Sequence, residues 1–145
     1  MGTTLKFGVQ ANSVNPTQTQ VKARTFQMII DEPANLGGTD AGANPVEYLL
    51  AALSGCLNVV GHLVAGEMGI KMRGISLDLE GELDPAKFMG KTSEGRAGYM
   101  SVKVTLRPDC DAEPEKLQKW LKAVESRCPV SDNIANATPV TIALG

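Results

Sequence analysis

The residues of this sequence that could catalyse a reaction are its three cysteines. Cys56 lies in a segment where apolar residues recur every three or four positions, and Cys128 follows a second such segment. A thiolate is a nucleophile that oxidises readily to a sulfenic acid or a disulfide, so this chemistry would be thiol redox chemistry. Either cysteine alone is more often a small buried apolar residue. With no CxxC motif and one histidine, a zinc site is not expected.

Cys110 and His62 fit a catalytic role less well. Cys110 lies between two aspartates, whose negative charges disfavour a thiolate. His62 follows Cys56 by six residues, about 120° from it around a helix. We therefore predict that Cys110 is non-catalytic and that His62 is a packed or partly exposed helix residue, not a general base.

A reactive Cys56 requires a nearby cation, because a free thiol ionises only near about pH 8.5 and apolar surroundings oppose its ionisation. Cys56 is also too far into its segment for a helix N-terminus to help much. Arg24, inside the apolar-flanked segment Val21–Ile30, is the candidate cation, with Glu47 as its carboxylate partner. The alternatives are that Arg24 points to solvent and that Glu47 only caps a helix.

The spacing of Glu47 and Cys56 constrains how they could share a site. They are nine residues apart, which places them on opposite sides of one helix and about 13 Å apart along its axis. If both serve one site, the helix bends or Glu47 acts across a subunit interface. We predict the second arrangement.

The element that carries Cys56 is predicted to be a long helix. Asn44 is a suitable N-cap, Pro45 suits the first helical position, and Glu47 can complete a capping box. The preceding segment, Asp31–Pro45, is rich in Gly, Asn, Asp and Pro and is predicted to be a loop. Leucines and valines then continue the helical spacing to Val64.

The remaining segments predict the order β-β-α-β-β-α-β, an α+β fold with helices packed on one face of an antiparallel sheet. The second helix is expected to begin near Asp111 and to stop before Pro129, which lacks a backbone donor. A short turn over 131–135 is expected to follow it. The predicted strands are Leu5–Ala11, Val21–Ile30, Ile75–Leu83, Met100–Leu106 and Pro139–Leu144, with a turn at Asn15-Pro16 and an exposed loop over Asp84–Tyr99.

Size and charge limit the possible partners. The length of 145 residues predicts one domain over 1–145, and the net charge of −2 gives no reason to expect nucleic acid or an anionic membrane as a partner. Polar residues interrupt the longest apolar stretch, Val46–Val64, so a buried helix is expected there and not a membrane span. The N-terminal MGTTLKFGVQ lacks the apolar core of a signal peptide, so a cytoplasmic location is expected.

Two long motifs together resemble one known family. The stretch DEPANLGGTDAGANPVEYLLAALSGC looks like the helix entry and first-cysteine motif of the OsmC/Ohr family, and ESRCPVSDNIANATPV looks like its second-cysteine motif. The intervening YMSVKVTLRPDCDAE resembles the family's strand before the second helix. The resemblance covers most of residues 20–145.

The resemblance implies an OsmC-like fold in an intertwined homodimer, with long central helices packed against antiparallel sheets from both chains. It implies that Cys56 is the peroxidatic cysteine, Cys128 the resolving cysteine and Arg24 the arginine that pairs with the thiolate. Glu47 matches an acidic position after Asn-Pro, although many members carry the acid one residue earlier, where this chain has Val46.

The function implied is a peroxidase that reduces organic hydroperoxides through a Cys56 sulfenic acid and a Cys56–Cys128 disulfide, with hydrogen peroxide as a possible second substrate. A lipoyl-type dithiol would restore the thiols, and no cofactor, metal, nucleic acid or membrane is involved. Two alternatives stay open. One is a family member with weak peroxidase activity that acts on another electrophile or binds a small apolar ligand. The other is a non-enzymatic structural dimer with buried thiols.

Overall fold

The computed structural model describes residues 2–145, in two compact units that divide between Leu49 and Leu50. The long helix begins in the first unit and continues through the second. The predicted α+β class is confirmed. The elements are β1 (Gln10–Ser13), β2 (Thr19–Ala23), β3 (Phe26–Ile30), α1 (Pro45–Glu67), β4 (Gly74–Glu82), β5 (Ser101–Asp109), α2 (Pro114–Arg127) and α3 (Pro129–Ala135), with a 3-10 turn at Ala34–Leu36.

An antiparallel sheet of β1, β2 and β3 forms the first unit's regular structure. The predicted turn between the first two strands is confirmed, and Asn15 explains it. Its side-chain oxygen accepts hydrogen bonds from the backbone N–H groups of Thr17 and Gln18, as an Asx turn requires. The predicted strand Val21–Ile30 is instead two strands, β2 and β3, joined by a tight turn at Arg24 and Thr25.

A buried carboxylate organises the loop between β3 and α1. Asp31 is fully buried and accepts hydrogen bonds from the hydroxyls of Thr17 and Thr39 and from the backbone N–H groups of Glu32 and Ala41. These bonds, that from the Thr39 hydroxyl above all, hold the pKa of Asp31 well below its usual range, although burial opposes them. The loop is therefore an ordered structure built around one anion.

The second unit packs the β4–β5 ladder, α1 and α2 around one apolar core. The two strands pair in antiparallel register from Gly74↔Asp109 to Glu82↔Ser101, and their apolar residues alternate towards the helices, as the sequence predicts. Amphipathic spacing places the same face of each helix in this core. The buried residues are Leu53, Leu57, Val60, Val64, Ala65, Ile70, Trp120, Val124 and Cys128.

The two helices approach closely at Gly61. The indole N–H of Trp120 donates a hydrogen bond of 2.8 Å to the carbonyl oxygen of Gly61. A Cβ at Gly61 would lie 2.6 Å from Ile75 Cδ1 and 3.1 Å from Trp120 Cζ2. The missing side chain is thus what lets α2 and β4 approach α1 at this point.

Replacing Gly61 with alanine should lower the free energy of unfolding by about 1–3 kcal/mol, because the core must shift to admit one methyl group. Urea denaturation checks this. Gly66→Ala is the matched control, since a Cβ at Gly66 in the same helix meets nothing within 4 Å. It should stabilise the protein by about 0.5–1 kcal/mol through helix propensity. Equal effects at the two positions would contradict the packing described for Gly61.

Four further local predictions were wrong. The predicted strand Leu5–Ala11 is absent over residues 5–9, because β1 begins only at Gln10. Residues 137–145 form no regular structure, so the predicted strand Pro139–Leu144 is not present. Asp111 does not cap α2, because its carboxylate accepts from Arg73 instead. Pro129 ends α2 but is also the first residue of α3, because a missing N–H costs nothing at the first position of a helix. This short helix replaces the turn predicted over 131–135.

Among residues 2–145, α1 alone is long and apolar enough to cross a membrane by length and composition. The core helices of soluble proteins meet the same criterion. One face of α1 does lie in the second unit's core, through Leu53, Leu57, Val60 and Val64.

Candidate active site

Cys56 lies in the middle of α1, and the start of this helix is built as predicted. The backbone N–H of Glu47 donates to Asn44 Oδ1 at 2.9 Å, and the backbone N–H of Asn44 donates to Glu47 Oε2 at 2.8 Å. This reciprocal pair is a capping box. Cys56 itself is half-buried and packs against the core.

Cys128 lies at the junction of α2 and α3. It has extended backbone angles, with φ −79° and ψ 111°, because Pro129 cannot continue the hydrogen bonding of α2. Its side chain is only 1% exposed and is the N-cap of α3, where the sulfur accepts from the backbone N–H of Ser131 at 3.4 Å. This cysteine is therefore both a core residue and a helix cap.

The packing of α1 against α2 brings the two thiols together. Cys128 Sγ donates a hydrogen bond to Cys56 Sγ, and the two sulfur atoms are 3.1 Å apart. Both cysteines are free thiols here. Seventy-two residues separate them in the chain, so only the tertiary fold makes them neighbours. A pair this close can exchange a proton or form a covalent bond with little movement of the backbone.

The environment of the two sulfurs is unequal. Burial, the largest cause, raises the pKa of the Cys128 thiol, and the hydrogen bond from the backbone N–H of Ser131 opposes this shift. Cys128 is therefore held as a neutral thiol that can donate its proton towards Cys56. Cys56 is the more exposed residue of the two, since it is half-buried whereas Cys128 is buried.

An ion pair that sequence reasoning missed joins the ends of α1 and α2. The guanidinium of Arg127 donates to both carboxylate oxygens of Glu67, at 2.5 and 3.0 Å. Arg127 directly precedes Cys128, so this bidentate contact links the residue before the second cysteine to the end of α1. No sequence pattern signals a pair sixty residues apart.

Arg24 lies in the first unit, at the tip of the β2–β3 hairpin. It has a left-handed backbone with φ 56°, which is uncommon for any residue other than glycine, and its guanidinium carbon lies 5.0 Å from the ring centre of Phe26. It also lines an open cavity of about 460 Å³ with Lys22 and Gly8–Gln10. The placement of Arg24 inside a strand was therefore wrong, although its role with the thiolate stays a prediction.

The four predicted site residues thus fall into two groups. The second unit brings Cys56 and Cys128 together, whereas Arg24 and Glu47 belong to the first unit. One carboxylate oxygen of Glu47 accepts the capping-box hydrogen bond from Asn44. This is the helix-capping role predicted from the sequence as the alternative to a role in catalysis. Its action across a subunit interface stays a prediction.

His62 and Cys110 are the other two side chains whose types could serve in catalysis. His62 is exposed, and its ring Nδ1 lies 3.0 Å from the carbonyl oxygen of Asn58 within α1. Cys110 is half-buried at the end of β5, and the non-catalytic role predicted for it stays a prediction. Over residues 2–145, no group of three or more His, Cys, Asp or Glu side chains is arranged to hold a metal ion.

Comparison with known proteins decides the family. The sequence profile of the OsmC-like proteins matches residues 38–143, which include both cysteines. The chain belongs to the OsmC-like family. No curated protein sequence matches this OsmC-like chain significantly.

Solved structures share the OsmC-like fold. An OsmC-like protein from Mycoplasma pneumoniae superposes with a TM-score of 0.79 at 17% identity, covering 90% of this chain and 88% of that one. An organic hydroperoxide resistance protein from Elizabethkingia anophelis gives 0.67 at 21% identity, covering 91% and 89%. An OsmC-like protein of unknown function from Vibrio cholerae gives 0.71 at 13%, covering 89% and 93%. At these identities the likeness concerns the fold, and the activity must be argued from the site.

Proposed function

We propose that this OsmC-like protein is a thiol peroxidase that reduces organic hydroperoxides through Cys56 and Cys128. The observation that carries the proposal is the 3.1 Å separation of the two sulfur atoms, one half-buried and one buried. Two free thiols in contact provide both a nucleophile and the partner that completes its redox cycle. The chain belongs to the OsmC-like family, and some of its structural neighbours are named organic hydroperoxide resistance proteins. Both findings support the same activity.

The first step is attack of the Cys56 thiolate on one oxygen of the hydroperoxide. The S–O bond forms as the O–O bond breaks, which leaves Cys56 as a sulfenic acid and releases the second oxygen as an alkoxide. That oxygen takes a proton and departs as an alcohol. Sulfur gives up two electrons, and the O–O bond accepts them.

In the second step, Cys128 condenses with the sulfenic acid. Its sulfur displaces the hydroxyl group of Cys56, a disulfide forms, and water leaves with the thiol proton. The short distance makes this step intramolecular, which protects Cys56 from further oxidation. A dithiol of the lipoyl type then reduces the disulfide by exchange and is itself oxidised to a cyclic disulfide.

Arg24 is proposed to stabilise the Cys56 thiolate and the departing oxygen. A guanidinium stays charged when it is desolvated and offers several donors, which suits both tasks. Glu47 would orient Arg24 in the assembled protein through the carboxylate oxygen that the capping box leaves open.

The assembly is proposed to be a homodimer. Val59 and Leu63 on α1 are 66% and 53% exposed, although they lie on the most apolar helix of the chain. Val140, Ile142 and Leu144 are also exposed, in the C-terminal segment that contains no helix or strand. A second copy of the chain would cover these apolar side chains, which is our reason for proposing a dimer. A cytoplasmic location remains part of the proposal.

Turnover assays test the proposal. With dihydrolipoamide as the reductant, we expect kcat/KM for cumene hydroperoxide to exceed that for hydrogen peroxide by about tenfold or more, because the residues packed around Cys56 are apolar and favour contact with an organic substrate. Absence of turnover with both peroxides would reject the peroxidase. Reactive thiols would then favour the alternative of another electrophile or an apolar ligand, and slow, indiscriminate thiol labelling would favour the structural dimer.

A further inference from the structure

The helix that follows Cys128 is held by few contacts. None of the seven residues of α3 is buried, and Val130 and Ile134 pack only partly against the core. At its C-terminal end, Asn136 bonds back to Asp132. A helix this short is not stable by itself, so its order depends on these contacts and on its N-cap.

The N-cap of α3 is the sulfur of Cys128. It accepts a hydrogen bond from the backbone N–H of Ser131 at 3.4 Å, and the backbone carbonyl of Cys128 accepts from Asp132 at 3.0 Å. The same sulfur contacts Cys56 Sγ at 3.1 Å. One atom therefore serves both the proposed redox chemistry and the order of α3.

These two roles compete when the disulfide forms. A disulfide bond is about 2.05 Å long, so the two sulfurs must approach each other by about 1 Å. The Cys128 sulfur keeps its lone pairs, so the loss comes from movement: as this sulfur shifts towards Cys56, we expect its hydrogen bond from the Ser131 N–H, already 3.4 Å long, to break. Loss of an N-cap acceptor leaves an N–H group without its partner at the first turn.

We propose that formation of the Cys56–Cys128 disulfide uncaps α3 and loosens residues 129–136, so that a reductant can reach the buried sulfur. The inference rests on the disulfide of the proposed function but not on which oxidant forms it. If Cys128 stayed as buried as in the reduced protein, where it is 1% exposed, an incoming thiolate could attack the disulfide only at Cys56. The loosening gives the oxidised form the access that thiol–disulfide exchange needs.

Hydrogen exchange measured by mass spectrometry tests this inference in a Cys110→Ser background, where only one cysteine pair remains. Diamide forms the disulfide without any peroxide: the two thiols lose two protons and two electrons, and the azo bond of diamide becomes a hydrazine. We expect amides in the peptide 129–136 to exchange about fivefold faster after oxidation, the size of a lost N-cap. Amides of β4 and β5 should not change.

Variants at the two cysteines separate uncapping from other effects. Cys56→Ser should make α3 insensitive to diamide. In reduced protein, Cys128→Ala should reproduce the fast exchange because it removes the cap, whereas Cys128→Ser should not, because serine is a good N-cap. Unchanged exchange of α3 on oxidation, equal acceleration throughout the chain, or full protection in Cys128→Ala would each overturn the inference. A protein that fails to reduce peroxides would not affect this test.

Discussion

Replacing Cys56 with serine should reduce hydroperoxide turnover by about a thousandfold or more, to the rate of the uncatalysed reaction. Serine removes the only nucleophile proposed for the peroxide, and its hydroxyl group is not ionised near neutral pH. The fold should be kept, because Cys56 is half-buried and serine is slightly smaller. A coupled assay with cumene hydroperoxide and dihydrolipoamide measures the loss, and circular dichroism checks the fold.

Cys128→Ser and Cys110→Ser are the matched controls. Cys128→Ser should still consume one equivalent of hydroperoxide per Cys56, but it should stop at a sulfenic acid that dimedone can trap. Cys110→Ser should turn over at the rate of the unmodified protein. Full activity in Cys56→Ser, or equal losses in all three variants, would contradict the proposed division of roles.

Replacing Asp31 with alanine should lower Tm by about 10 °C or more, because four donors would lose their one buried acceptor. These donors are two threonine hydroxyls and two backbone N–H groups, and they draw the β1–β2 turn and the loop before α1 onto one carboxylate. Since the folded pKa of Asp31 is depressed, its contribution is present above the ordinary value of 3.8 and is lost as pH falls below it. Scanning calorimetry at pH 7 measures the effect.

Asp40→Asn is the control in the same loop. Asp40 is exposed and has a φ of 55°, which asparagine tolerates well. Its Tm should change by no more than about 2 °C, the size of a typical surface substitution. If the two variants have similar Tm values, the buried carboxylate does not organise the loop.

Local signals made the long helix predictable. The start of α1 depends on residues within four positions of one another, so Asn44, Pro45 and Glu47 determine it without help from the rest of the fold. The alternating strands β4 and β5 follow from the same kind of local pattern. The resemblance of both cysteine motifs to one family then gave the pairing that spacing alone left open.

Long-range packing made other features unpredictable. The bond between Arg127 and Glu67 depends on how α2 crosses α1. The sequence indicates only that Asp31 lies in a loop, because one of its threonine donors precedes it by 14 residues and the other follows it by 8. Arg24 lies in a turn because its backbone is left-handed, which no local residue preference indicates. The apolar alternation of Pro139–Leu144 is typical of a strand, but a strand also needs a partner, and none pairs with it within residues 2–145.

The most direct test of the proposed function is to map the thiols after one equivalent of organic hydroperoxide is added to the reduced protein. Peptide mass spectrometry without reduction should show rapid formation of one disulfide between Cys56 and Cys128. It should be absent from Cys56→Ser and reversed by dihydrolipoamide. If both cysteines stay reduced while a simple control thiol is oxidised, the 3.1 Å thiol pair is not a peroxidase site.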